Sequence, residues 1–122
     1  MIRDEAAVEV TFEFTEGLVG GEVVQFADGR WPGVVGAGIA LSEEGFDLVE
    51  PHLRAAAPGW TSDHRYGVFE LEAPARKELA RRLLAEASAF PETEPMVSLF
   101  RALAAWLEQR LDEWKPVSVF GI

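Results

Sequence analysis

The chain of 122 residues carries 21 acidic against 11 basic side chains, a net charge of −10, with no cysteine and 48% apolar residues. At about 100–150 residues per domain this length fits one core, and the lack of cysteine excludes disulfide frameworks, thiolate zinc sites, iron–sulfur clusters and cysteine nucleophiles together. The negative charge repels phosphate backbones and anionic lipid surfaces, so neither nucleic acid nor a membrane is the expected partner.

Eight Phe and four Trp supply enough large apolar area to argue against disorder. The opening MIRDEAAVEV places acids where an export signal needs a basic start and an apolar run. The longest apolar stretch, Gly33 to Leu41, falls far short of the ~20 residues that cross a bilayer. The expectation is a soluble cytoplasmic protein. Its charge is unevenly placed: residues 1–50 hold 11 acids and only Arg3 and Arg30 as bases, whereas residues 51–122 are nearly balanced, with 10 acids and 9 bases.

In chain order, Val8 to Thr15 has a strict period of two, with Val8, Val10, Phe12 and Phe14 on one face and Glu9, Thr11, Glu13 and Thr15 on the other. A Gly-containing connection over 16–21 leads to a second strand over Glu22 to Asp28, so a hairpin between the two is expected. Asp28 to Gly33 is a breaker cluster. Val34 to Leu41 reads as a glycine-relieved strand or an irregular segment. Ser42 followed by Glu43 and Glu44 suits a helix N-cap with acids in its first turn. Pro51 and Pro58 bracket residues 52–57 and allow at most two helical turns there.

Arg65 to Glu72 alternates as a strand. Pro74 then suits the first turn of a helix, in which Leu79, Ala80, Leu83, Leu84 and Ala87 form the buried stripe and Arg76, Lys77, Arg81 and Arg82 a solvated face. Val97, Phe100, Leu103, Ala104, Leu107 and Leu111 make a second stripe, with Trp106 in the core and Trp114 over the last strand. Val117 to Ile122 is a short apolar strand, expected to insert beside an earlier one. The predicted fold is α+β: a single small domain over residues 1–122, a mainly antiparallel sheet of four or five strands, and two C-terminal-half helices packed on one face.

Little in the sequence points to chemistry. His52 and His64 are the two histidines, and Asp63-His64-Arg65 is a candidate polar loop; adjacent residues do not make a catalytic triad signature, because the fold and not the sequence brings triad members together. No metal-ligand spacing is present, and Gly33 to Gly38 lacks the strand–helix context of a dinucleotide site. Glu9 and Glu13 stand about 13 Å apart by strand rise, beyond the reach of a paired-carboxylate mechanism. No catalytic residue, metal or cofactor is therefore expected.

Arg65-Tyr66-Gly67-Val68-Phe69-Glu70-Leu71 before a Leu-rich helix, then Ala105-Trp106-Leu107 and Phe120-Gly121-Ile122, resembles small bacterial immunity proteins, the antidotes encoded beside polymorphic or contact-dependent toxins. The resemblance covers the second half of the chain. It implies a small, acidic, non-enzymatic protein that binds a toxin domain, frequently a basic nuclease, and it transfers no site residue. A partner would then be a basic protein, met by Glu9, Glu13, Glu22, Asp28 and Trp31 on the acidic N-terminal strands. Two alternatives stand beside this: a small hydrolase or isomerase with its site at Asp63, His64 and Arg65, and a homodimer that pairs the apolar loop or strand edges between copies.

Overall fold

The computed structural model describes residues 10–19, 23–30, 33, 35–112 and 114–121. Five strands form one antiparallel sheet: β1 (Phe12–Glu16), β2 (Val23–Gly29), β3 (Val35–Ser42), β4 (Val68–Glu70) and β5 (Val117–Gly121), in the order β1-β3-β2-β5-β4. Three helices, α1 (Glu43–Ala56), α2 (Ala73–Ala87) and α3 (Pro95–Glu108), and a 3-10 turn over Ser62–Tyr66 complete the fold. The α+β reading of the sequence therefore holds, with three helices where two packed on the sheet were expected.

The core lies between the sheet and the helices. Val24, Phe26, Ile39, Leu41, Val117 and Val119 point to the same side and join Phe46, Val49 and Leu53 of α1, Leu79 and Leu83 of α2, and Phe100, Leu103 and Leu107 of α3 in one buried cluster. At about 1.5–3 kcal/mol for each fully buried large apolar side chain, this cluster is the main stabilising term.

The expected hairpin between the first two strands does not form. β1 pairs instead with β3, Phe14 opposite Ile39, and β2 pairs with both β3 and β5. The reason lies in β2 itself: Val24, Gln25, Phe26 and Ala27 are all buried, so both of its faces and both of its edges require cover. Within the breaker cluster, Gly29 ends β2 at φ 114, a conformation that favours glycine.

β1 and β2 consequently run parallel with β3 between them. Glu16, opposite Ala37, and Val23, opposite Ser42, stand five residue levels or about 17 Å apart along the sheet by strand rise, with the chain after β1 starting at Gly17. Gln25 ties it down: its amide nitrogen donates to Thr15 Oγ1 (2.9 Å) and the Gly17 carbonyl (2.7 Å), and its Oε1 accepts from the Val19 N–H (3.1 Å).

Helix α1 runs through Pro51, which contradicts the short segment expected between the prolines. Ser42 starts it, its hydroxyl accepting the Gly45 N–H at 3.1 Å. A proline inside a helix costs about 3 kcal/mol, but unwinding here would uncover Phe46, Val49 and Leu53, each worth about 1.5–3 kcal/mol. The strand expected over 65–72 shrinks to Val68–Glu70, because Arg65 and Tyr66 belong to the 3-10 turn. Leu84 and Leu111, assigned to buried stripes, are partly exposed, and Trp114 is 91% exposed and covers nothing. Trp60 and Trp106 are both core residues.

The C-terminal strand inserts beside earlier strands, as expected, and its neighbours are β2 and β4. One basic residue assigned to the solvated face of α2 goes inside: Arg76 is 2% exposed. Its guanidinium donates to the carbonyls of Leu71 (2.7 Å), Arg110 (2.5 Å), Asp112 (3.1 Å) and Lys115 (2.9 Å), tying three residues of the α3–β5 connection to α2. Burial pushes this guanidinium below its ordinary pKa.

Candidate functional site

The polar loop at Asp63, His64 and Arg65 folds into the 3-10 turn, and its groups are used to hold that turn in place. His64 Nδ1 accepts the Thr61 N–H at 3.0 Å. The imidazole packs against Phe69 (4.9 Å between centroids) and Trp60 (5.5 Å). Arg65 turns away from it toward α1, donating to Asp47 Oδ1 at 2.5 Å and Glu50 Oε1 at 3.2 Å, with its guanidinium over the Phe46 ring. Desolvation opposes this charge, and the hydrogen bond to Asp47 with the nearby carboxylates of Asp47, Glu50 and Glu43 outweighs it, holding Arg65 above its ordinary pKa.

Glu50 completes the arrangement. Its carboxylate is buried and also accepts Trp60 Nε1–H at 3.0 Å, with Arg54 3.6 Å away. Asp63 is exposed and makes no ion pair among the described residues. The three loop residues thus point in three directions, toward Thr61, toward α1 and toward solvent. This is how a structural clamp is built; a catalytic dyad would need two of them converging on a reacting atom.

Of the five residues expected to meet a partner, Glu9, Glu22 and Trp31 lie outside the described residues. The other two face opposite sides of the sheet. Glu13 sits opposite Ala40, on the face away from the helices. Asp28 sits opposite Val117, and its carboxylate accepts Arg110 Nε–H at 2.7 Å, while that guanidinium also lies 4.0 Å above the Trp106 ring. An ion pair this well formed leaves Asp28 little charge to offer a partner.

The structure brings different acids to Glu13. β1 and the start of α1 meet at a depression of about 460 Å³ lined by Thr11, Phe12, Glu13, Ser42, Glu43 and Glu44. Backbone pairing holds its walls: Ser42 N–H donates to the Thr11 carbonyl (2.9 Å) and Thr11 N–H to Ser42 Oγ (3.1 Å), the same oxygen that caps α1. Glu13, Glu43 and Glu44 are exposed, and none forms an ion pair among the described residues. Asp47, one turn further on, is neutralised by Arg65.

The signal for Glu43 and Glu44 was present in the sequence as acids behind an N-cap serine, which is a helix-dipole feature. What was not legible was that β1 would lie beside β3 and bring Glu13 to the same place. The array offers negative potential on a fixed frame, with the one nearby serine hydroxyl already engaged in backbone bonds.

Among the described residues no three His, Asp or Glu side chains gather as a metal-ion site, and no helix is long and apolar enough to cross a membrane. No family model, no curated protein and no solved structure matches the chain.

Proposed function

We propose that the chain is a non-enzymatic binding module that captures a basic protein surface through Glu13, Glu43 and Glu44, acting as an immunity protein acts on a basic toxin domain. The observation that carries this reading is the contrast among carboxylates. Asp28, Asp47, Glu50, Glu70 and Glu78 are each matched to an arginine within the chain, whereas no ion pair among the described residues engages the side chains of Glu13, Glu43 and Glu44. Unmatched charge on a rigid frame steers a cationic partner and raises its association rate.

The test is to purify the chain with the products of adjacent reading frames and measure association by calorimetry at low and moderate salt. Reversing Glu13, Glu43 and Glu44 to Lys is expected to weaken capture by at least about 100-fold, in line with 1–3 kcal/mol for each close charge pair lost, and salt is expected to weaken it too. Binding that ignores both salt and reversal, or no binding by any of those products, overturns the reading.

A homodimer is the second reading, favoured by Phe14. This side chain is 64% exposed on β1, which ends the described sheet, and large exposed aromatics are common at protein interfaces. Light scattering decides it: a mass of twice 13.4 kDa supports pairing, and a monomer at millimolar concentration removes it.

A further inference from the structure

On the helical side of the chain, a groove of about 400 Å³ runs between α1 and the α2–α3 connection, lined by Leu48, His52, Glu86, Phe90, Glu94 and Phe100 among others. Val10, the residue before the Thr11–Phe12 wall of the depression, is also part of the groove lining. Along α1, Glu44, Leu48 and His52 are spaced four apart and form one row leading from the acids into the groove.

The lining divides by chemistry. Leu48 and Phe90 are among the exposed large apolar residues of the chain, and Phe100, buried in the core, meets His52 edge-on at 5.7 Å between centroids. Glu86 and Glu94 stand over this apolar surface. Glu94 forms no ion pair among the described residues, and the neighbour of Glu86 is His52, with Nε2 to Oε1 at 4.0 Å, beyond hydrogen-bond length. An apolar occupant would desolvate two carboxylates without compensation. An anionic one would be repelled.

From this we infer that the groove takes a lysine or arginine side chain of the protein partner, with its alkyl stem on Leu48, Phe90 and Phe100 and its cation between Glu86 and Glu94. Such side chains cover apolar surface with their methylenes while the charged head stays at a polar rim, and the volume sits at the lower end of the ~300–1,000 Å³ range of ligand sites, which suits one extended side chain better than a folded element. The inference rests on the basic-partner reading and adds an apolar anchor to it.

The probe is n-hexylammonium, titrated into the ¹⁵N-labelled full chain, with n-hexanol and hexanoate as controls. Saturable amide shifts at Leu48, His52, Phe90 and Phe100 are expected for the amine, with both controls at least about fivefold weaker, the discrimination that a charge-assisted contact provides. E86Q/E94Q changes two exposed side chains, leaves the fold intact by near-UV circular dichroism, and removes that preference. Equal binding of hexanol, shifts centred elsewhere, or no saturation overturns the inference. So does spermidine bound more than about 100-fold tighter than hexylammonium, since an added affinity of that size would mark a free polyamine as the ligand. The two readings fail separately: amine capture by a chain that binds no adjacent gene product sinks the basic-partner reading and keeps the cation-selective groove, and partner binding without amine capture does the reverse.

Discussion

Arg65 reaches Glu50 across the space between the 3-10 turn and α1, its Nη1 at 3.2 Å from Oε1, with both side chains largely shielded from water. The contact joins the middle of the chain to the helix that begins at the acidic depression. Removing one partner of such a pair leaves the other charge without compensation. Arg65→Ala should therefore lower stability by about 2–4 kcal/mol in urea titration, while Arg65→Met with Glu50→Gln, which removes both charges at similar volume, should recover more than half of the loss. Equal destabilisation by the single and double variants would mean that the pair carries no coupling.

Arg76 makes a stronger case for geometry over charge. Its guanidinium serves four carbonyls from one buried position, which a lysine ammonium cannot do from a single point. Arg76→Lys should cost nearly as much as Arg76→Met, about 3 kcal/mol or more, because either leaves buried carbonyls of the α3–β5 connection unsatisfied. Hydrogen exchange at residues 110–115 should rise more than elsewhere in both variants. A Lys variant as stable as the parent would show that charge alone suffices.

Gly121 lies at the end of β5 where that strand touches the 3-10 turn. Its N–H donates to the Gly67 carbonyl at 2.9 Å, and a Cβ at this position would fall on the Arg65 carbonyl oxygen. Since the obstacle is backbone, the turn itself would have to move, and the Arg65–Glu50 contact with it. Gly121→Ala should cost about 2–4 kcal/mol, a severe effect for one methyl group, and should be non-additive with Arg65→Ala in a double-mutant cycle.

What the sequence revealed, and what it hid, follow from how local each determinant is. The alternation in β1, the stripes of α2 and α3, the Ser42 cap and the apolar C-terminal strand are patterns within one element, and each was legible. Strand neighbours were not, because the preference of β2 for β3 and β5 arises from burial of Gln25 and Ala27 on its second face, and an amide beside an alanine gives no hint of that. The full length of α1 was hidden by Pro51, whose local cost is outweighed by tertiary packing. Arg76 read as a surface cation because its partners, the carbonyls of residues 110–115, carry no side-chain signature. For the candidate site the acids themselves were visible, but Asp28 and Glu13 could be sorted onto opposite faces only once the β2 register was known.

Charge reversal at the depression should separate binding from folding. Glu43 and Glu44 stand in the first turn of α1, where a negative charge complements the helix dipole by about 0.3–1 kcal/mol each. Their reversal to Lys should lower stability by about 1–2 kcal/mol in total, and reversal of Glu13, exposed on β1, by less than about 0.5 kcal/mol. The triple variant should therefore remain folded at 25 °C, as thermal unfolding can establish. Loss of tertiary structure at that temperature would show that these acids serve the fold first.

Removal of residues 117–122 puts the largest demand on the architecture. β5 is the one strand joining β4 to the rest of the sheet, paired with β2 from Val24 to Asp28 and with β4 from Val68 to Glu70. Without it the second edge of β2 loses its ladder, and Val117 and Val119 leave a gap under α2 and α3 that the neighbouring side chains can only partly fill. Two buried valines at about 1.5–3 kcal/mol each, together with unpaired backbone on two strands, exceed much of the ~5–15 kcal/mol that stabilises a domain of this kind. The truncated chain should accumulate as aggregate. Recovery of its soluble fraction by a separate peptide carrying residues 116–122, added during refolding, would show that strand insertion and not chain length is what the sheet requires; a truncation with native near-UV circular dichroism would show that β5 is dispensable.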